Sequence, residues 1–289
     1  MSATAAPRHR LFADGPTKGI AIGDWQIATT KRPICNSAEL DRVAEWISIP
    51  LPEMLFGNNE LVVAHRSGVS VVFNAVEALA LVDDTPESAD KTKVAASAQW
   101  TRTSVKTHGS IHKVVRPYDW TYTTEYCGTV SQRGGSPEGE SQDRAVAIQM
   151  QPSEVGINIQ RLIAPEPILF YDELVLFEDE LADNGAAVLS LRMRVMPSCF
   201  LVLQRFFLRV DNVLLRINDT RVFHEFGSDV LIREYTSREA PYESVKQSAA
   251  AAQDLSAMTD ANWVSARLEQ MGPPVVHRRE SVVVGSSKS

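Results

Sequence analysis

The strongest constraint on the fold is a series of closely spaced strand signals between Leu174 and Tyr235. Residues 174–180 lead into Asn184-Gly185, a dipeptide typical of the two-residue turn of a β-hairpin. Residues 189–195 then alternate between apolar and polar side chains, and this period of two places one set on a buried strand face. The pattern predicts antiparallel strands joined by short turns.

The same pattern continues toward the C-terminus. Phe200–Val210 is almost continuously apolar, as expected of a central strand that is covered on both faces. Asp211-Asn212 provides the next turn, and Val230–Tyr235 is predicted to be a further strand. Connections this short do not allow the crossovers that parallel strands need. We therefore predict an α+β fold, with antiparallel β-sheets in a sandwich-like meander flanked by short helices.

Two short helices are predicted from their N-terminal caps. Asn36 is followed three residues later by Glu39, and Asn74 is followed in the same way by Glu77. Each pair resembles a capping box, and apolar residues follow each at helical spacing. Further helix is predicted from about Tyr242 to Leu255 and from Asp260 to Met271.

Composition along the chain predicts one domain, over residues 20–245. Residues 1–19 are small, polar and charged and are predicted to form a flexible N-terminal tail. Residues 246–289 are predicted to be helical and then disordered, because Pro273-Pro274 is followed by a polar and basic segment. Gly134–Asp143 combines Gly, Pro, Ser and acidic residues, which is typical of a surface loop or linker.

Charge and composition argue against several classes of protein. The formal net charge of -7 and scattered basic residues argue against nucleic acid as a partner. The first ten residues lack the apolar stretch of a signal peptide, and the apolar runs are too short to span a bilayer. We expect a monomeric protein of the cytoplasm, with the nucleus as a second location, that does not contact membranes. An odd number of widely spaced cysteines predicts neither a disulfide framework nor a zinc site: Cys35, Cys127 and Cys199.

No common catalytic motif is present in the sequence, which lacks a phosphate-binding loop, a nucleophile elbow and an HExxH metal helix. His108 and His112 have the spacing of a metal site on a helix, but the Gly-Ser pair between them favours a solvated loop. Pro117–Tyr126 contains four aromatic side chains, which are interpreted either as core residues or as a binding surface. We expect no cofactor and no bound metal.

Residues 172–180 are dense in carboxylates. They are interpreted as a metal or acid/base site, as a solvated strand that resists aggregation, or as an acidic strip facing a partner. An enzymatic alternative combines Glu178 from this stretch with Asp219 and His224, if alternating strands bring the three together. Asn218–Arg221 is itself interpreted as a turn, because Asn, Asp and Thr side chains cap turns.

A set of ordered sequence blocks extends over about residues 20–240. The blocks are Leu51-Pro-Glu-Met-Leu-Phe-Gly57, Phe73-Asn-Ala75, Pro117-Tyr-Asp-Trp-Thr-Tyr-Thr-Thr-Glu-Tyr126, Leu176-Phe-Glu-Asp-Glu-Leu181, Arg194-Val-Met-Pro-Ser198, Phe206-Phe-Leu-Arg209, Asn218-Asp-Thr-Arg221 and Arg233-Glu-Tyr-Thr-Ser-Arg238. In this order they resemble the TOR-signalling-pathway regulator-like (TIPRL, Tip-forty-one-like) family.

This resemblance implies a regulator without catalytic activity. Such a protein binds, and generally inhibits, the catalytic subunits of type 2A, type 4 and type 6 serine/threonine phosphatases in TOR signalling. The resemblance also implies recognition of the phosphatase C-terminal tail and, in some members, contact with an alpha-four-type phosphatase chaperone. The antiparallel sheets and flanking helices of that family agree with the strand pattern.

Four partner-binding positions are implied by the same resemblance: Glu77, Ile168, Ile217 and Asp219. Asp is more usual than Glu at the first of these positions, and Met is more usual than Ile at the third. Each has a competing structural interpretation, since Glu77 caps a helix, Ile217 alternates into a core and Asp219 lies in a predicted turn. On the partner-binding interpretation, Asp219→Ala is expected to weaken binding without unfolding the protein.

Overall fold

Two antiparallel sheets form the framework of the molecule. The structure is a computed structural model that describes residues 8–82, 121–132, 146–181 and 183–285. The two sheets pack face to face, and short helices lie at their ends and on the outer face of one of them. The predicted α+β fold is confirmed.

Within the described residues, the first sheet, sheet A, has the spatial order β1-β2-β3-β5-β6-β7-β8. Its strands are β1 (His9–Asp14), β2 (Thr17–Ile22), β3 (Trp25–Thr30), β5 (Glu60–His65), β6 (Val69–Asn74), β7 (Thr129–Gln132) and β8 (Val146–Ala147).

The second sheet, sheet B, has the order β4-β10-β11-β12-β13-β14-β15-β9. Its strands are β4 (Met54–Leu55), β9 (Gln151–Pro152), β10 (Phe170–Asp179), β11 (Gly185–Val195), β12 (Cys199–Val210), β13 (Leu214–Glu225), β14 (Val230–Pro241) and β15 (Val276–Val283). Strands β10 to β14 form the predicted meander, and β12 is central as expected.

The helices within the described residues are α1 (Ser37–Ala44), α2 (Ala75–Leu79), α3 (Ile159–Leu162), α4 (Tyr242–Ala251) and α5 (Ala261–Met271), with a 3₁₀ helix at Leu255–Thr259. The first predicted capping box is confirmed, because Asn36 and Glu39 exchange side-chain-to-backbone hydrogen bonds. No helix in the part of the chain that the structure describes is long and apolar enough to cross a membrane.

The main core lies between the inner faces of the two sheets. On β11 the alternating set Leu189, Leu191, Met193 and Val195 faces this core, as the period of two predicts. Asp172 of β10 joins the sheets: it accepts a hydrogen bond from Thr29 Oγ1 and pairs with Lys18 and Lys31 of sheet A. Burial opposes ionisation of Asp172, but hydrogen bonds from Lys31, Thr29 and Lys18 outweigh burial and lower the pKa of this carboxyl.

An aromatic cluster closes the space between the sheets at another point. The ring of Trp25 on β3 lies 4.7 Å from the ring of His65 and 4.6 Å from that of His224 on β13. His224 is buried, and its Nδ1 lies 3.0 Å from the carbonyl oxygen of Val230. Burial lowers the pKa of His224 to about 4, because a low-polarity environment disfavours the charged imidazolium.

The outer face of sheet B is covered at two places. At one end, Phe207, Leu215 and Ile217 pack against a helical layer formed by α4, the 3₁₀ helix and α5. Elsewhere α3 and its flanks pack on a smaller cluster that includes Phe223 and Ile232. The odd-numbered side chains of β13 therefore face this outer layer, while even-numbered ones such as His224 face sheet A.

The prediction of a flexible N-terminal tail is wrong where residues up to 19 lie in β1 and β2, and the disorder predicted after the C-terminal helices is wrong for Val276–Val283. The helix predicted within residues 246–289 is present as α4 and α5. Residues 9–14 and 17–22 are strands of sheet A, and a side chain at Gly19 would overlap with the ring of Phe12. At the other end, β15 pairs with β14 through eight residues. The polar composition of these segments suggested tails. Pairing with a neighbouring strand, however, provides hydrogen bonds for the backbone N–H and C=O groups of a polar segment as well as of an apolar one. The domain limits 20 and 245 stay predictions.

Three features singled out in the sequence lie outside the described residues. They are the predicted linker Gly134–Asp143, the pair His108 and His112, and Pro117–Trp120 of the aromatic block. The second half of that block is described: Tyr122 and Tyr126 are buried in the main core. For these two side chains the core interpretation is confirmed.

Candidate partner-binding site

Glu77 lies in the first turn of α2, at the end of sheet A. Its backbone N–H donates to the side chain of Asn74 at 2.9 Å, so the predicted N-cap is present. The carboxylate does not complete a capping box. It accepts hydrogen bonds from the Tyr126 hydroxyl, at 2.9 Å, and from the Thr129 hydroxyl. Glu77 therefore joins α2 to the segment that enters β7.

Tyr126 is the buried partner of this carboxylate. Its hydroxyl accepts from the backbone N–H of Asn74 at 3.3 Å and lies 3.1 Å from the carbonyl oxygen of Val72. Burial raises the pKa of Tyr126, and the negative charge of Glu77 raises it further. The phenol remains a neutral donor, and this fixes the orientation of the Glu77 carboxylate.

Two open clefts meet at Glu77. The larger has a volume of about 920 Å³ and lies between the start of α1, the loop before β5 and the start of α2. Its charged lining residues are Arg32, Glu39, Arg42, Glu60 and Glu77. Burial raises the pKa of the Glu60 carboxyl, and the negative charge of Glu77 adds to that effect. This cleft is therefore lined by both carboxylates and guanidinium groups.

The smaller cleft, of about 540 Å³, lies on the other side of Glu77, next to β7 and β15. Its cations are already paired. Arg233 binds Glu280 at 2.7 Å, and Arg278 binds Glu125 at 2.8 Å. Arg233 also donates to the carbonyl oxygens of Cys127 and Gly128, so this wall of the cleft is fixed by hydrogen bonds.

Asp219 lies in the middle of β13, so the interpretation of Asn218–Arg221 as a turn is wrong. Its carboxylate is 2% exposed and forms a two-point ion pair with Arg205 of β12, at 2.7 and 2.8 Å. Arg221 donates to the same carboxylate at 2.9 Å. The side-chain amide of Asn218 also bonds outside the segment, because it donates to the carbonyl oxygen of Thr124 at 3.1 Å.

Arg205 connects Asp219 to the helical layer. Its guanidinium donates to the carbonyl oxygen of Ala261 at 3.1 Å and to the side chains of Asn262 and Ser265 at 3.1 and 2.9 Å. These acceptors are in the first turns of α5. The Asp219–Arg205 pair therefore fixes α5 on the outer face of sheet B.

The two isoleucines differ in exposure. Ile217 is 2% exposed and belongs to the core beneath α4 and α5, whereas Ile168 is 56% exposed in the segment that precedes β10. Of the four implied positions, Ile217 and Asp219 thus lie side by side but are covered by helices. Glu77 and Ile168 remain accessible at separate places.

The enzymatic alternative is not supported by the positions of its three residues. Asp219 faces the helical layer, whereas His224 on the same strand faces the opposite way, into the space between the sheets. Glu178 lies on β10 opposite Val188, and two strands, β11 and β12, separate β10 from β13. The three side chains do not converge. Among the described residues, no group of His, Cys, Asp and Glu side chains is arranged to hold a metal ion.

Sequence reasoning missed the partners of both carboxylates. Arg205 is a charged residue within an almost continuously apolar strand, and that exception was a signal that a buried acid lies nearby. Tyr126 and Thr129 carried no comparable signal. They meet Glu77 only because β7 lies next to β6 in sheet A.

Comparison with known proteins identifies relatives over most of the chain. The family model described as the TIP41-like family matches residues 54–246. The human TIP41-like protein is 41% identical over 239 residues, with 82% of this chain and 79% of its own length covered. An Arabidopsis thaliana TIP41-like protein is 37% identical over 289 residues, with 96% and 94% covered. The Saccharomyces cerevisiae protein named type 2A phosphatase activator TIP41 is 37% identical over 298 residues, with 96% and 78% covered.

Proposed function

The chain belongs to the TIP41-like family, and we propose that it is a non-catalytic regulator that binds the catalytic subunits of type 2A-class serine/threonine phosphatases. The observation that carries the proposal is the similarity of this chain, over 96% of its length, to the yeast protein named a type 2A phosphatase activator. The failure of the candidate catalytic residues to converge agrees with a binding role.

The proposal extends to the type 4 and type 6 catalytic subunits, to their C-terminal tails and to an alpha-four-type chaperone as a further partner. It places the protein as a monomer in TOR signalling, in the cytoplasm and also in the nucleus. Inhibition of the bound phosphatase is the expected direction, whereas the name of the yeast relative says activator. An activity assay distinguishes the two directions.

We propose that the partner contacts the region around Glu77. The two clefts that meet there are open, and the larger one is lined by Arg32 and Arg42 as well as by Glu60 and Glu77. A binding surface with both signs of charge favours a partner segment of matching charge pattern and disfavours others. Ile168 adds an exposed apolar side chain at a second position.

Ile217 and Asp219 are proposed to influence binding through the fold. Both are 2% exposed, and a partner would contact them only after the helical layer had been removed. Asp219 supports α5 through Arg205, so its loss alters the outer surface of sheet B. To the expectation that Asp219→Ala weakens binding without unfolding the protein, this adds a loss of stability.

Copurification followed by a phosphatase assay tests the proposal. Purified type 2A, 4 and 6 catalytic subunits are incubated with the immobilised full-length protein, and activity on a phosphopeptide is then measured with and without it. We expect retention of these subunits and a change in their activity. Failure to retain any of the three would overturn the proposal, and retention without any change in activity would indicate a scaffold instead.

A further inference from the structure

An open groove remains on the outer face of sheet B beside the helical layer. Its volume is about 570 Å³, and one wall is formed by Thr259, the last residue of the 3₁₀ helix, and Ala261, the first residue of α5. The floor consists of side chains from β10, β11 and β12, and its apolar members are Val175, Ala186, Val188 and Phe207.

The floor of this groove continues the core beneath the helices. Phe207 belongs to that core, and Ala186 and Val188 pack against it while remaining half-buried. The helical layer therefore covers only part of an apolar surface, and the uncovered part forms the groove. Apolar surface of this kind favours contact with another apolar side chain.

Three acids form one rim of the groove: Glu178, Glu180 and Asp183. None of the three forms an ion pair with a residue that the structure describes. Asp179, between them in sequence, is used internally, since it accepts from the backbone N–H groups of Glu53 and Leu181. The rim acids are therefore available to a partner.

The groove carries an excess of negative charge, because four carboxylates and two guanidinium groups line it. Burial raises the pKa of the neighbouring Glu53 carboxyl, and the charges of Asp179, Glu180 and Asp183 raise it further. The cations of the groove are engaged elsewhere: Arg209 pairs with Asp211 at 2.9 Å, and Arg192 donates to Asn262 at 2.9 Å. The groove thus combines an apolar floor with an unbalanced negative rim.

We propose that this groove is a docking site for a basic segment of a partner protein. An apolar side chain of the segment packs over Val188 and Phe207, and flanking Lys or Arg side chains pair with Glu178 and Glu180. Charge complementarity argues for this occupant, because an acidic segment would add to an existing repulsion. The site is separate from the clefts at Glu77 and goes beyond the proposed contact there.

A competing account assigns the rim acids only to solubility. Strand β10 lies near the edge of sheet B, beside the two-residue strand β4, and charges at a sheet edge discourage aggregation. If this were their only role, a basic peptide would bind the groove no more strongly than it binds other acidic parts of the surface. The two accounts predict different results for substitutions that remove equal charge inside and outside the groove.

The test uses a fluorescein-labelled peptide of sequence Lys-Arg-Leu-Leu-Arg-Lys and the full-length protein, with binding followed by fluorescence anisotropy. Two control peptides replace the leucines by serine or the basic residues by glutamate. The groove variant is Glu178→Gln/Glu180→Gln. Its matched control, Glu45→Gln/Glu154→Gln, removes the same charge from exposed positions elsewhere.

We expect saturable binding of the basic, leucine-containing peptide, weakened about five-fold or more in the groove variant and less than two-fold in the matched control. Both control peptides are expected to bind more weakly. Absence of saturable binding would overturn the proposal. Equal weakening in the two variants would also overturn it, because the peptide would then respond only to the net charge of the protein.

Discussion

Asp219 and Glu77 are both carboxylates in candidate partner-binding positions, but the protein holds them in different ways. Asp219 is buried under helices and neutralised by Arg205 and Arg221. Glu77 lies at the boundary of two open clefts and accepts hydrogen bonds from the neutral hydroxyls of Tyr126 and Thr129. One carboxylate holds the helical layer on sheet B, and the other is half-buried where the two clefts meet.

A loss of partner binding on substitution therefore does not show that the substituted residue contacts the partner. Removal of either carboxylate is expected to reduce partner binding, in one case through loss of a fixed surface and in the other through loss of a contact. Stability separates the two cases, because a buried charge left without its partner is costly whereas a half-exposed one is not.

Asp219→Ala has the largest expected effect. It leaves the Arg205 guanidinium buried without its carboxylate, and we expect the free energy of unfolding to fall by about 3–5 kcal/mol. Urea denaturation followed by circular dichroism measures this loss. The double variant Arg205→Met/Asp219→Leu removes both charges and is expected to lose less than Asp219→Ala alone. A loss below about 1 kcal/mol in Asp219→Ala would show that the pair does not fix α5.

Acidification tests a third position, the buried His224. It lies on the same strand as Asp219, but its side chain faces sheet A. The folded-state pKa of His224, about 4, is below its ordinary value of 6.5, so the unfolded chain takes up the proton first. The stability associated with neutral His224 is full above about pH 6.5 and is lost as the pH falls toward 4, with a total of about 3 kcal/mol.

Urea denaturation between pH 7 and pH 4.5 measures this dependence. His224→Phe keeps an aromatic ring next to Trp25 and removes the titrating group, so its stability is expected to fall less over the same range. Identical pH profiles for the two proteins would contradict the assignment to His224.

Glu77→Gln tests the other side of the comparison. The amide keeps the shape of the side chain but loses the charge that attracts the Tyr126 and Thr129 hydroxyls, and we expect a stability loss of only about 1 kcal/mol. Affinity for a purified type 2A catalytic subunit is expected to fall about ten-fold. Calorimetric titration measures that affinity, and Glu45→Gln is the matched control. Unchanged affinity for Glu77→Gln would remove Glu77 from the interface.

Ile168→Ser is expected to have the smallest effect on stability, within about 0.5 kcal/mol, because the side chain is largely exposed. Affinity for the catalytic subunit is expected to fall, since an apolar contact of this size contributes about 1–3 kcal/mol. Ile163→Ser is the matched control: Ile163 is 66% exposed and lies only five residues away. Equal loss of affinity in both variants would indicate a broad apolar contact rather than a specific one at Ile168.

Much of the fold follows from local patterns. The alternation along β11 and the apolar run of β12 each depend on neighbouring residues only, and both are present as predicted. The two-residue turn predicted at Asn184-Gly185 is wrong, because β10 ends at Asp179 and Gly185 is already the first residue of β11, paired with Val210. The first cap, at Asn36, is equally local. Patterns of this kind are readable because strand period and cap chemistry act over a few residues.

The wrong predictions concern segments whose structure depends on residues far away in the sequence. Asn218 and Asp219 have the composition of a turn, but within strand β13 Asn218 donates to Thr124 and Asp219 pairs with Arg205. The polar segments at both ends of the chain become strands because a neighbouring strand is available to pair with them. All four candidate positions came from resemblance alone. The sequence did not show that Ile217 and Asp219 are buried, because their burial depends on the packing of α4 and α5.

The helical layer on sheet B has a consequence for synthesis of the protein. When residues up to 241 have emerged from the ribosome, strands β10 to β14 are available to fold, but the helices that cover them are not. At that moment the side chains of Phe207, Leu215 and Ile217 lack the cover that they have in the finished protein. Exposed apolar surface on a nascent sheet promotes aggregation, and this is the stage at which the growing chain most needs a chaperone.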